Sequence, residues 1–199
     1  MSSHIKAADV KKLRDKTGAG MMEVKSALAE TVGDFDRALE ILRKKGMLKA
    51  GKKTERAVGQ GIIDSYIHGE GRIGVMLEIN CETDFVARSQ EFKNLVHDLA
   101  LHVAASSPLY VSREEVPAGV IQKEREIYAE AAKAEGKTGG IVEKIVDGRL
   151  EKFYQETCLL EQPFVKDQDL SIQQLINQRI ATIGENIKVK RFTRYVLGE

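Results

Sequence analysis

Apolar residues recur along this chain with two different periods, and the change of period divides it. Near the start they fall at helical spacing. Lys6–Lys16 carries Val10 and Leu13 and ends at Gly18, a residue suited to the left-handed turn that stops a helix. A second helix is expected over Gly20–Thr31, stopped by Gly33. Asp34 then offers an N-cap oxygen, and Phe35, Ala38, Leu39 and Leu42 fall at i, i+3, i+4 and i+7, with Gly46 expected to end that helix. Further on the period becomes two. In Arg72–Cys81, Ile73, Val75, Leu77, Ile79 and Cys81 share one face, opposite Arg72, Met76, Glu78 and Asn80, which is the pattern of a half-buried strand. A strand over Ala57–Ile67 precedes it, and the two glycines of His68-Gly69-Glu70-Gly71 suit a hairpin turn.

Helical spacing returns at Ser89–Ala105, where Phe92, Leu95, Val96, Leu99 and Val103 form one stripe. Helices are also expected near Ala118–Ala134 and Gly139–Thr157, and from a cap at Ser171 to about Ile183. The tail Asn186–Val196 can return as a third strand, although its alternation breaks at Arg191-Phe192. The expected fold is therefore α+β: an N-terminal three-helix module, then a small antiparallel three-stranded sheet packed with helices.

Charge reinforces that division. Residues 1–56 hold 14 Lys and Arg against 8 Asp and Glu, while residues 57–199 hold 17 against 22, so a net +6 is followed by a net −5. The shift coincides with Lys44-Lys45-Gly46-Met47-Leu48-Lys49-Ala50-Gly51-Lys52-Lys53, read as a basic linker or an exposed helix end. The expected domains are thus 1–56, with that linker, and 57–199. At 42% apolar and 31% charged residues the chain has enough to build a core, which argues against disorder. No apolar run approaches the roughly 18 residues of a membrane span. The start MSSHIKAADVKK lacks the apolar stretch of a secretory signal. Cys81 and Cys158 make neither a metal knuckle nor a disulfide framework. A cytoplasmic protein without membrane partners is the expectation.

Catalytic signatures fail one by one. Thr17-Gly18-Ala19-Gly20 lacks the Gly-Lys-[Ser/Thr] ending of a phosphate loop, and no GxSxG, HExxH or CxxC occurs. Of the histidines His4, His68, His97 and His102, the last lies on the apolar stripe with Leu95 and Leu99 and is expected to be a hydrogen-bonded core residue. Nothing singles out a nucleophile, a base, a metal site or a cofactor.

Two places depart from an ordinary fold. Met21 sits at helical spacing with Val24 and Leu28 and can join the core seam, whereas Met22 lies about 100° away beside Lys25, Ser26 and Ala29. Met22 is either a partner contact, since a flexible thioether fits uneven surfaces, or a plain helix-end residue. The second place is Cys81-Glu82-Thr83-Asp84-Phe85-Val86-Ala87-Arg88, between the clearest strand and the clearest helix. Either Thr83 or Asp84 caps the next turn and Phe85 folds back as a staple, or Phe85 is a rigid aromatic displayed for a partner's pocket.

These same residues carry a resemblance. The run Leu13–Leu28 (LRDKTGAGMMEVKSAL), with Gly33-Asp34 and Leu42–Gly46, is similar to the N-terminal module of the elongation factor Ts family. Asn80–Arg88, His102–Ser106, Glu161–Val165 and Ile183–Ile187 continue the likeness in collinear order over nearly the whole chain. The resemblance implies a guanine-nucleotide exchange factor acting on elongation factor Tu, without covalent catalysis. It implies that the three-helix module resembles ubiquitin-associated domains and docks on the partner's nucleotide-binding domain through positions matching Arg14, Met21 and Met22. Thr83, Asp84, Phe85 and Val86 match the family's core motif, whose phenylalanine enters between helices of the partner and disturbs its Mg²⁺ and phosphate-binding elements. Lys53, His68, Ile183 and Gly184 match further contacts. The chain has room for one core subdomain where longer members carry two. Short members act as homodimers, and the resemblance implies the same here.

The competing reading from composition is an RNA- or ribosome-binding protein using the basic first module. Aromatics amount to only 6% and none interleaves with the basic stretch, as stacking platforms require. Direct contact with nucleic acid is therefore not expected.

Overall fold

The computed structural model describes residues 5–199, so His4 lies outside the described residues. The fold is α+β. In chain order it runs α1 (Ala7–Thr17), α2 (Met21–Glu30), α3 (Phe35–Gly51), β1 (Gln60–His68), β2 (Ile73–Cys81), α4 (Asp84–Arg88) and α5 (Gln90–Ser106). It continues with α6 (Ala118–Ala134), α7 (Gly140–Thr157), β3 (Pro163–Phe164), β4 (Asp167–Ser171), α8 (Ile172–Ile183) and β5 (Ile187–Val196). The small antiparallel sheet has the order β1-β2-β5, and β3 and β4 form a separate two-stranded ribbon. No helix among the described residues is long and apolar enough to cross a membrane.

The chain forms two compact units. One comprises the residues up to Asp64, Leu77–Asp98 and Gln173–Lys190; the other comprises Ser65–Met76, Leu99–Ile172 and Arg191–Glu199. In the first, Val10 and Leu13 of α1, Val24 and Leu28 of α2, and Ala38 and Leu42 of α3 close a small core. Gly18 ends α1 at φ 63°, the left-handed cap expected of it, and its N–H returns to Arg14 O. Asp34 caps α3 by accepting the N–H groups of Asp36 and Arg37. Helix α3 does not stop at Gly46. It runs five residues further, to Gly51, so most of the basic stretch is helix rather than linker. An interior glycine costs a helix only about 1 kcal/mol, and the buried Ala50 holds the last turns in place.

In the second unit α6 and α7 pair around Ala132, Val142, Val146 and Leu150. Arg113 straps the loop before α6 to α7: its guanidinium pairs with Glu151 and Glu161 and lies 4.6 Å from the Tyr154 ring centre. His102 is fully buried, as its place on the apolar stripe implied. Its Nε2 lies 3.0 Å from Gln162 Oε1, and its Nδ1 accepts Val165 N–H at 3.3 Å. The β3–β4 ribbon over Pro163–Ser171 has no counterpart among the expected elements.

One face of the sheet exposes apolar side chains within this unit. Ile67, Met76, Tyr195 and Leu197 are all exposed. Arg194 turns its Nε to Ala104 O in α5, so the neighbouring Tyr195 points away from that helix. Ile67 lies over Gly74, two residues before Met76, on the same bare face.

Candidate functional site

The site is built where β2 ends. Cys81 is fully buried. Burial first, and then the nearby Glu185 carboxylate, pushes its thiol up to about 11, so it stays protonated and donates to Thr83 O at 3.2 Å. Thr83 is the N-cap of α4 and its hydroxyl accepts Val86 N–H at 3.4 Å. Helix α4 is only five residues long, and Ser89 breaks it with an extended conformation at φ −66° and ψ 145°. The segment is therefore a single turn capped by Thr83, one of the two caps the sequence offered. Val86 and Ala87 are its buried side, at 8% and 5% exposure, while Phe85 stands out at 81%. The staple alternative, in which the ring folds back, is absent. Asp84 pairs with Arg88 at 3.0 Å, one turn along and in solvent.

Neighbouring chain segments of the same unit hold this turn. The Glu185 carboxylate accepts the backbone N–H of Glu82 at 3.1 Å, the N–H of Thr83 at 3.0 Å and the Thr83 hydroxyl at 2.7 Å. In return the Glu82 carboxylate accepts Asn186 N–H at 2.6 Å and pairs with Arg56 at 3.5 Å. Asn186 donates its side-chain amide to the carbonyls of Thr54 and Arg56, at 3.1 and 2.8 Å. Lys53 Nζ donates to Gly184 O at 2.6 Å. Gly184 has φ 94°, a conformation that favours glycine and lets the chain turn sharply after α8.

These bonds bring Lys53, Thr83, Asp84, Phe85, Val86, Ile183 and Gly184 into one connected region. Ile183 is half-buried at the end of α8. Arg14, Met21 and Met22 belong to the same unit, in its helical module. Arg14 and Met21, with Ile5, Val10, Lys11 and Lys25, line a groove of about 390 Å³. Met21 does not join the core seam. It is 45% exposed, because a side chain in a first helical turn leans back past the helix start. Met22 is 75% exposed on the polar face. His68 belongs to the other unit. It is exposed at the end of β1, its Nδ1 lies 3.1 Å from the Tyr66 hydroxyl, and the two rings stack at 5.9 Å.

Sequence reasoning about single residues did not reach Glu82, Arg56, Glu185 and Asn186. Three of them lie inside the motif runs, but a carboxylate's bond to a backbone group more than 100 positions away leaves no local pattern.

Comparison with known proteins bears on the whole chain. A family model described as Elongation factor TS matches residues 2–199. Elongation factor Ts from Moorella thermoacetica is 58% identical over 195 residues, covering 98% of this chain and 96% of that protein. Elongation factor Ts from Fervidobacterium nodosum is 58% identical over 195 residues, with 98% and 99% covered. The protein of that name from Acetivibrio thermocellus is 56% identical over 195 residues, with 98% and 91% covered.

Proposed function

The chain belongs to the elongation factor Ts family, whose function is nucleotide exchange in translation elongation, and from that premise we propose how its residues perform the exchange. The factor binds elongation factor Tu carrying GDP. Arg14, Met21 and Met22 dock the helical module, a ubiquitin-associated-like unit within residues 1–56, on the partner's nucleotide-binding domain. Residues 57–199 form the core and dimerisation domain. Phe85 enters between helices of the partner, flanked by Thr83, Asp84 and Val86, with Lys53, His68, Ile183 and Gly184 around it.

No bond of the nucleotide is broken. Mg²⁺ bridges phosphate and protein oxygens in the partner, so displacing its ligands removes much of the electrostatic hold on GDP. Burying the phenylalanine ring supplies about 1.5–3 kcal/mol toward that state. Asp84 favours it further by accepting helix N-terminal amides or repelling phosphate-side oxygens. The coupling is reciprocal, so the factor that loosens GDP is itself loosened by nucleotide, and GTP completes the cycle.

The observation that carries this reading is Phe85, 81% exposed on a turn whose next two residues are buried. A large aromatic kept in water by a fixed backbone has the form of an interface anchor. Stopped-flow release of labelled GDP from elongation factor Tu tests it: wild-type rates with Phe85→Ala would remove the wedge.

The factor acts in the cytoplasm, without direct nucleic-acid contact, as a homodimer. The bare sheet face of Ile67, Met76, Tyr195 and Leu197 supports the last of these, since exposed apolar clusters mark association surfaces.

A further inference from the structure

We infer that Glu185 is a positioning residue for nucleotide exchange: through Thr83 it fixes the turn that presents Phe85 to the partner. The inference rests on the wedge reading of Phe85.

A five-residue helix has no stability of its own, because helix nucleation is costly and so short a segment recovers few bonds. Its pose is imposed from outside. At its N-terminal end one carboxylate takes two consecutive backbone N–H groups and a hydroxyl, those of Glu82 and Thr83. Charge-assisted bonds of this kind are the stronger class. The 2.7 Å bond also sets the rotor of the Thr83 hydroxyl. With its hydrogen on Glu185, its lone pair faces Val86 N–H and caps α4. Phe85 lies between the capping residue and the capped amide.

Glu185 is itself held. Gly184, at φ 94°, turns the chain, and Lys53 anchors its carbonyl at 2.6 Å. Glu82 returns a bond to the next residue, Asn186, at 2.6 Å. The ring thus stands on a closed circuit of hydrogen bonds, and the entropy of ordering it is lost on folding rather than on binding. Of the three acceptor contacts Glu185 makes, glutamine can keep only those of its one carbonyl oxygen. Its NH₂ group would then meet the Thr83 oxygen as a donor, so the hydroxyl hydrogen loses the acceptor that sets its rotor and the charge assistance is gone.

A double-mutant cycle separates this role from a merely structural one. GDP release from elongation factor Tu is measured with saturating E185Q, F85A and the double variant, at a temperature where circular dichroism shows each folded. E185Q is expected to slow release at least about fivefold in the wild-type background and less than about twofold in the F85A background. E185D, which keeps the carboxylate, should recover part of the rate. An equal slowing in both backgrounds, or wild-type release with E185Q, would overturn the inference while leaving the wedge standing. Wild-type release with F85A would overturn the wedge and the inference with it. If E185Q does not fold, T83V, which removes only the hydroxyl, replaces it in the same cycle with the same expected non-additivity.

Discussion

Glu82 and Glu185 hold each other's turns. The Glu185 carboxylate accepts the backbone N–H of Glu82 at 3.1 Å, and the Glu82 carboxylate accepts the N–H of the residue after Glu185 at 2.6 Å. Each turn supplies an acid and receives one, so neither moves without loosening the other. Between them they set where β2 ends and how α4 begins.

The turn after α8 is the weak point of this arrangement. Gly184 sits at φ 94°, where a Cβ is strained, and the nearest atom an added methyl would meet is Lys53 Nζ at 3.7 Å. Crowding is therefore not the issue, and backbone strain alone decides. Gly184→Ala should lower stability by about 1–2 kcal/mol, read as a lower urea midpoint with an unchanged slope. An unchanged midpoint would mean the turn adapts without strain.

His102 makes stability depend on pH. Its Nδ1 accepts Val165 N–H, so the ring hydrogen sits on Nε2 and faces Gln162 Oε1. Gln162 is oriented by donating to the carbonyls of Ser106 and Glu156, at 3.2 and 2.7 Å. Burial lowers the pKa of this ring below 6.5, against a smaller opposing effect of the Gln162 bond. The unfolded chain then binds the proton more readily than the folded one. The stability contributed is complete above the unfolded value and is lost as pH falls through it toward the folded value. Urea titrations at pH 7.5 and 5.5 should show a larger loss for the wild type than for His102→Gln. Equal losses would place the effect elsewhere.

Where the sequence was easy to read, a long apolar period and a buried face agreed. The stripe of α5 and the alternation of β2 are examples, and α6 has the expected bounds, Ala118–Ala134. Three features escaped in whole or in part because their reasons are tertiary. Gly46 looked like a stop, but Ala50 beyond it finds a buried place. The β3–β4 ribbon pairs strands of two and five residues, too short and polar to show alternation. Helix α4 is a single turn whose support comes from Glu185, 102 residues after Thr83. The same holds for the site: the motif around Phe85 was visible, and the frame beneath it was not.

The bare sheet face gives a prediction about assembly. Ile67, Met76, Tyr195 and Leu197 are 64%, 56%, 71% and 72% exposed in the single chain. A charge placed among them would be desolvated in any interface they form, at a cost of several kcal/mol. Met76→Lys should therefore move the protein from dimer to monomer in sedimentation velocity at micromolar concentration, with its circular dichroism unchanged. A wild-type protein that sediments as a monomer under those conditions would remove the dimer.

Phe85 and Val86 are adjacent, and opposite consequences follow from their burial. Val86 is 8% exposed and fastens α4 to the unit beneath it, whereas Phe85 is 81% exposed. Val86→Ala removes two buried methyl groups and should cost about 1–3 kcal/mol of stability. Phe85→Ala removes surface already in water and should change stability by no more than about 0.5 kcal/mol. Exchange should divide the other way: Phe85→Ala should slow GDP release at least about tenfold, a loss near 1.4 kcal/mol of coupling to the partner. Val86→Ala, measured below its own melting range, should slow it less. Denaturation and stopped-flow release on the two variants test both halves at once. A Phe85→Ala protein that loses stability as Val86→Ala does would show that the ring packs against its own chain and is not held out for another.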